Sequence, residues 1–209
     1  MLYEMLHSRY GEDVPIFTKD VIIEGRSHQS VLTELAGLAK AGKIKRYSRG
    51  VYYIPKESVF RSGSVLSRDR VVESKYMMDE GRTIGYITGL MLANQAGLTT
   101  QVPMTLEVAT NNASRESRKI NIGKSHLILR KPKTLITSEN ADILQVLDLI
   151  EEAEDVSEVG HQESADRIRQ YAETIGVTFG GLAKYIDYYP TKTFKALFQV
   201  GVRNGWILT

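Results

Sequence analysis

The chain has 209 residues, 42% of them hydrophobic and 25% charged, a globular composition long enough to bury a core in one or two domains. The absence of cysteine excludes a disulfide framework, thiolate metal sites and a cysteine nucleophile, and the four scattered histidines (His7, His28, His126, His161) argue against a histidine-rich metal site. The N-terminal residues lack the pattern of a signal peptide and no window approaches ~18 uninterrupted apolar residues, so a soluble cytoplasmic protein is expected.

The net charge of +2 conceals segregation. Residues 40–49 hold Lys40, Lys43, Lys45, Arg46 and Arg49 and no acid. Residues 111–133 hold seven bases against Glu116, and residues 138–173 hold eleven acids against Arg167 and Arg169. Concentrated positive charge attracts phosphates and steers association with nucleic acid, while a charged run is also what a solvated surface looks like.

Residues 1–9 read as a short helix with Leu2, Met5 and Leu6 on one side. Gly11 and Pro15 interrupt it, and a second short helix is expected over residues 19–23, capped by Thr18 and ended by Gly25. A third helix over 28–41, capped by Ser27, carries Val31, Leu32, Leu35, Leu38 and Ala39 at helical spacing. Its opposite face offers His28, Gln29, Ser30, Thr33, Gly37 and Lys40, short or hydrogen-bonding groups suited to base edges. Gly42 closes it. The strands around Ile44 and Arg46 and over Val51–Ile54, joined by Ser48-Arg49-Gly50, make a basic hairpin in which one of Tyr52 and Tyr53 faces the core and the other outward. Three helices followed by a basic hairpin is the order of a winged helix-turn-helix, here residues 1–56. Its third helix would enter the major groove, and Lys43, Lys45, Arg46 and Arg49 would meet phosphates or the minor groove. A small winged domain that contacts protein is the alternative.

Residues 57–83 read as a Ser/Arg-rich linker and a connecting helix from Arg68 to Met78. Residues 84–209 read as a mixed α/β domain, which makes the whole chain α+β. Within it, 84–96 is expected to be a buried helix, 104–110 a strand, 119–122 and 126–130 a hairpin, and 134–136 a further strand. Helices follow: one capped by Ser138 and bearing Ile143, Leu144, Val146, Leu147 and Ile150, then others near 163–176, 178–188 and 191–204. Tyr185, Tyr188, Tyr189, Phe194 and Phe198 are expected to pack between these helices, and Trp206 to dock the chain's end. Thr99-Thr100-Gln101 reads as turn chemistry.

The segments IKRYSRGVYYIPK, GYITGLMLANQAGLTTQVPMTLEVATN, SENADILQVLDLIE and YYPTKTFKALF together resemble a bacterial helix-turn-helix family similar to the AbiEi (abortive infection) antitoxins of type IV toxin–antitoxin systems. The resemblance covers most of the chain, and RGVYY and GLTTQVP are its most specific pieces. It implies a winged helix that binds double-stranded DNA at the operon's own promoter as a repressor. It implies also a C-terminal domain that counters a nucleotidyltransferase-like toxin, without need of a stable complex. On the matching motif, Lys45, Arg46, Arg49 and Tyr52 would carry the DNA contact. No residue of the antitoxin domain carries over; the basic segment of Arg115, Arg118, Lys119 and Lys124 is the physical choice for its working surface, with a solvated hairpin as the alternative.

No nucleophile elbow, phosphate loop or dinucleotide fingerprint occurs. Glu73-Ser74-Lys75 has the E-x-K spacing of some metal-dependent nucleases, but such sites need a further acid. The expectation is therefore a DNA-binding repressor and antitoxin that uses no cofactor or metal and is not an enzyme. A protein-interaction module with incidental DNA affinity is the rival, and a nuclease the more distant one.

Overall fold

The structure, a computed structural model, describes residues 1–57, 64–123, 125–203 and 206, with the side chains of 202 and 203 left aside. It is an α+β protein of two units: Met1–Lys75 with Ile122–Ser125, and Tyr76–Asn121 with His126–Thr209. Residues 58–63, the centre of the expected linker, and Lys124 lie outside the described residues.

In the first unit, α1 (Leu2–Tyr10) buries Leu2 and Leu6. The chain then forms a two-residue strand, β1 (Ile16–Phe17), and one 3-10 turn over Thr18–Asp20. This replaces the expected helix over 19–23. Phe17 is paired in the sheet, Thr18 makes no side-chain cap, and the β-branched run Val21-Ile22-Ile23 resists winding. Helix α2 (His28–Lys40) matches its expected bounds to one residue, Ala41 being its C-cap. The Ser30 amide donates to Ser27 Oγ at 3.2 Å, and Val31 and Leu35 are buried. At its end the Gly42 amide donates to Ala39 O and the Lys43 amide to Leu38 O, with Gly42 at φ 73°, a Schellman closure in which an L side chain would be strained. Strands β2 (Lys45–Ser48) and β3 (Val51–Tyr53) form the hairpin. The antiparallel sheet has the order β1-β3-β2, pairs Ile16 with Tyr52 and Arg46 with Tyr52, and is bulged between Arg46 and Ser48. Leu6, Ile16, Val21, Val31, Leu35, Ile44, Tyr52 and Ile54 share one core. A five-residue helix, α3 (Arg68–Val72), follows, capped by Ser67. The expected helix to Met78 instead widens into a π-turn over Glu73–Met77.

The second unit opens with a small hairpin, β4 (Met78–Asp79) and β5 (Arg82–Thr83). The segment expected to be one buried helix is divided between strand β6 (Gly85–Thr88) and helix α4 (Gly89–Gln95). Both glycines explain the division. A Cβ at Gly85 would collide with the Tyr76 carbonyl and crowd Ala109 O, and Gly89 turns the chain at φ 69° with a Cβ position only 2.8 Å from Glu107 Cδ. The strands β7 (Leu106–Thr110), β8 (Ser117–Ile122) and β9 (Ser125–Arg130) complete a sheet of order β6-β7-β9-β8. β6 runs antiparallel and β9 parallel to β7.

The expected strand over 134–136 is absent, and its backbone groups are met by a side chain. Asn111 Nδ2 donates to Ile136 O at 2.8 Å and accepts at Oδ1 from the Ile136 amide at 2.9 Å. Helix α5 (Ala141–Val156) begins behind Asn140 rather than Ser138, whose hydroxyl accepts instead from the Thr83 amide. Helices α6 (His161–Thr174), α7 (Phe179–Ala183) and α8 (Thr191–Arg203) follow, with a 3-10 turn at Ile186–Tyr188 where a longer helix was expected. Leu144, Leu147 and Ile150 of α5, Ile168 and Ala172 of α6, Leu182 of α7 and Leu197 of α8 meet in the second core. Trp206 is buried in it, edge-on to Phe179 at 6.1 Å between ring centroids. Among the described residues, no helix is long and apolar enough to cross a membrane.

Candidate nucleic-acid interface

His28, Gln29, Ser30, Thr33, Gly37 and Lys40 are all exposed on α2. Opposite them, Val31 and Leu35 hold the helix to the core, so its polar side faces out. Several of these side chains are already engaged. His28 Nε2 lies 3.1 Å from Thr18 O, and because a carbonyl only accepts, the ring donates from that nitrogen. Ser30 Oγ accepts from Arg26 at 3.2 Å, and the same guanidinium pairs with Glu34 at 2.6 Å. The Thr33 hydroxyl donates back to Gln29 O at 3.0 Å. The Gln29 carboxamide and the Lys40 ammonium have no hydrogen-bond or ion-pair partner among the described residues.

The hairpin divides its bases. Arg49 is exposed at the turn and unpaired among the described residues, and Arg46 is exposed with Nε donating to Ser48 O at 3.3 Å. Lys43 is exposed with its ammonium 5.5 Å from the Tyr3 ring centre. Lys45 is half-buried and donates to Ser64 O at 3.1 Å. Tyr52 departs from its expected role: at 8% exposure its ring is packed into the first core, which it shares with Leu6, Ile16, Leu35 and Ile54. Tyr53 is buried as well, its hydroxyl donating to Ser64 O at 3.2 Å, so neither tyrosine faces outward. Thus α2 and the turn bases remain as an outward polar surface, and Tyr52 and Lys45 do not belong to it.

In the second unit, Arg115, Arg118 and Lys119 are exposed, the latter two on the edge strand β8, and none has an ion-pair partner among the described residues. Exposed bases on an edge strand also blunt unwanted strand pairing. Glu73 is exposed and Lys75 half-buried, where burial lowers the Lys75 pKa. Among the described residues no three His, Asp or Glu side chains are placed to share a metal ion.

Sequence reasoning missed the charged network on α5. Asp148 accepts from the Tyr86 hydroxyl at 3.1 Å, from Thr88 Oγ1 at 3.1 Å and from the Tyr189 hydroxyl at 2.8 Å. Burial pushes its carboxyl pKa up against the opposing effect of those three donors. The Tyr189 oxygen also lies 3.1 Å from Leu144 O. The one phenolic hydrogen is shared between the Asp148 carboxyl and the Leu144 carbonyl. Beside it, Arg130 donates to Glu107 at 2.6 Å and to Glu152 at 2.7 Å, and Lys133 pairs with Glu151 at 3.3 Å. The one sequence signal was the spacing of Asp148, Glu151, Glu152 and Asp155 on one helix face.

Tyr188, Phe194 and Phe198 are each more than half exposed rather than packed between helices. Thr99-Thr100-Gln101 shows the expected turn chemistry, the Gln101 amide donating to Thr99 Oγ1 at 3.1 Å, and it also clasps Glu158, whose carboxylate accepts from the Thr100 amide at 2.8 Å, Thr100 Oγ1 at 2.9 Å and Gln101 Nε2 at 2.8 Å.

Residues 5–174 match a family described as a family of unknown function, DUF6088, and the chain belongs to it. No curated protein matches the chain.

Proposed function

We propose that this member of the DUF6088 family is a cytoplasmic DNA-binding regulator. Its first unit acts as a winged helix-turn-helix on the operon's own promoter, and its second acts as an antitoxin against a nucleotidyltransferase-like toxin, without enzymatic activity. The observation that carries the DNA-binding half is the capped helix α2. It presents an outward face on which Gln29 and Lys40 have no partner among the described residues, and it is followed directly by a hairpin with exposed Arg46 and Arg49. The sheet order β1-β3-β2, with the hairpin at its open end, supports a wing; the second helix of the motif is reduced to one 3-10 turn. The antitoxin half is supported by the resemblance of the four sequence segments alone.

The test is a titration against a labelled fragment of the gene's own upstream DNA, beside a scrambled fragment, at two salt concentrations. A preference of about tenfold, roughly 1.4 kcal/mol, is expected. Equal weak binding that vanishes with salt would remove the regulatory assignment. The rival, a protein-interaction module, is favoured by the exposed aromatics Tyr188, Phe194 and Phe198 of the second unit. It predicts a stable complex with the product of an adjacent gene.

A further inference from the structure

We infer that α2 reads an A·T pair through Gln29, with a thymine methyl within about two base pairs met by Thr33. This rests on the DNA-binding reading above and adds to it the chemical class of the base pairs recognised.

The inference follows from subtracting the groups that α2 has already committed. The standard reader of guanine is a free guanidinium or ammonium, which donates to O6 and N7. The one guanidinium at the start of α2, Arg26, is held by Glu34 at 2.6 Å and donates also to Ser30 at 3.2 Å. His28 is turned onto Thr18 O. What remains outward is a stripe of Gln29, Thr33, Gly37 and Lys40. Its cation sits in the last turn, whereas the N-terminal residues of a recognition helix are those that reach base edges.

At that N-terminal end stands a carboxamide with a donor and an acceptor and no partner among the described residues. This is the pair of groups that matches adenine N6 and N7. One turn on, Thr33 is exposed and its hydroxyl is occupied by Gln29 O at 3.0 Å, which leaves its methyl as the group uncommitted to the helix. A methyl has an apolar counterpart in the major groove only at thymine C5. Four residues of helix rise about 6 Å, roughly two base steps, which sets the spacing between the two contacts. Past them, Gly37 leaves the helix surface bare: a Cβ there would meet nothing within 4 Å, so packing does not require the glycine. A bare surface lets the groove wall come close, and Lys40 beyond it reaches a phosphate.

The test begins with selection of the full-length protein on a random duplex library, so that it does not depend on the promoter. Enriched duplexes are then remade with 7-deazaadenine for adenine, which deletes N7, or with uracil for thymine, which deletes the methyl. For the wild type we expect a loss on the order of tenfold from one deazaadenine and a smaller, severalfold loss from one uracil. Gln29→Ala should be indifferent to the first change. Thr33→Ser should be indifferent to the second, and Thr33→Val, which keeps a methyl, should remain sensitive. Binding to an enriched motif that ignores both base changes, or a motif of G·C pairs under α2, overturns the inference while leaving DNA binding intact. Failure to enrich any motif overturns it together with sequence-specific DNA binding. An enriched A·T motif absent from the gene's own upstream DNA supports it and removes only the autorepressor reading.

Discussion

Two helices of this protein carry polar residues at helical spacing, and they use them oppositely. On α5, the polar face is turned inward chemically: Asp148 holds three hydroxyls, Glu151 pairs with Lys133, and Glu152 pairs with Arg130. On α2, His28, Ser30 and Thr33 are likewise tied to the protein, but the Gln29 and Lys40 side chains have no hydrogen-bond or ion-pair partner among the described residues. A satisfied network resists change and stabilises the fold. An unsatisfied exposed face is free for a ligand at no cost in internal bonds. The comparison therefore predicts stability effects at α5 and binding effects at α2.

The largest expected effect breaks the α5 side. Asp148→Ala strands the Tyr86 and Thr88 hydroxyls and leaves Tyr189 with Leu144 O alone, and with each orphaned buried group costing about 1–3 kcal/mol, roughly 2–5 kcal/mol of stability should be lost in urea denaturation. Asp148→Asn, which can still accept from Tyr86 and Thr88 and can donate to Tyr189, should lose much less. The pH dependence has a definite sign. Burial raises the folded carboxyl pKa above its unfolded value, so the stability Asp148 contributes is present below the ordinary carboxylate range and lost as pH rises through the raised folded value. Asp148→Asn should flatten that decline. Glu158 runs the other way: the Thr100 amide foremost, with the Gln101 and Thr100 side chains, lowers its pKa to about 2. Its contribution is present above the ordinary carboxylate range and lost as pH falls toward that value.

Next comes the α2 side and its hairpin. Arg46→Ala with Arg49→Ala should weaken DNA binding by about tenfold or more and lower the slope of log affinity against log salt by roughly 2. Both side chains are exposed, so the melting transition should stay within about 0.5 kcal/mol of wild type. Unchanged affinity at every salt concentration would remove the hairpin from the interface. A double variant that unfolds would blur the comparison, and Arg49→Ala alone, at the exposed turn, would then restore it.

The two helices also mark how far the sequence could be read. Helix α2 was legible end to end because its signals are local: a serine cap, apolar residues at helical spacing, a closing glycine. The polar face was legible for the same reason. Its partners were not, since His28 meets a carbonyl ten residues away and Tyr52 is buried in a core with Leu6 and Leu35, distant in sequence. In the second unit the errors share one cause. The glycines at 85 and 89 read as weak points in a helix, whereas they answer to Tyr76, Ala109 and Glu107, which are distant in sequence. Asn111 supplies the bonds that a strand neighbour was expected to give residue 136. The Asp148 network joins residues about 40 to 60 positions apart, beyond any periodicity.

A smaller effect tests the helix that presents the face. Ser27→Ala removes the hydroxyl that accepts from the Ser30 amide and should cost about 1 kcal/mol in thermal or urea denaturation. DNA affinity measured well below the melting transition should change little, because the outward groups of α2 are untouched. A large loss of affinity with unchanged stability would place Ser27 itself in the interface.

The smallest expected effect is also the sharpest, because it moves stability and binding in opposite directions. Gly37 lies in mid-helix, and a Cβ added there meets nothing within 4 Å. Gly37→Ala should therefore stabilise the protein by about 0.5–1 kcal/mol through helix propensity and a less flexible unfolded chain. If the outward face of α2 lies against a groove wall, the same methyl is pressed between helix and DNA, and affinity should fall although the fold is firmer. Denaturation and DNA titration on one preparation give both readings. A variant that is more stable and binds DNA as tightly as before would show that α2 does not approach DNA closely at residue 37, and would shift the contact toward Gln29 and the start of the helix. A variant that is no more stable would mean that something other than solvent already occupies the space beside residue 37, which is the one condition under which the face would not be free.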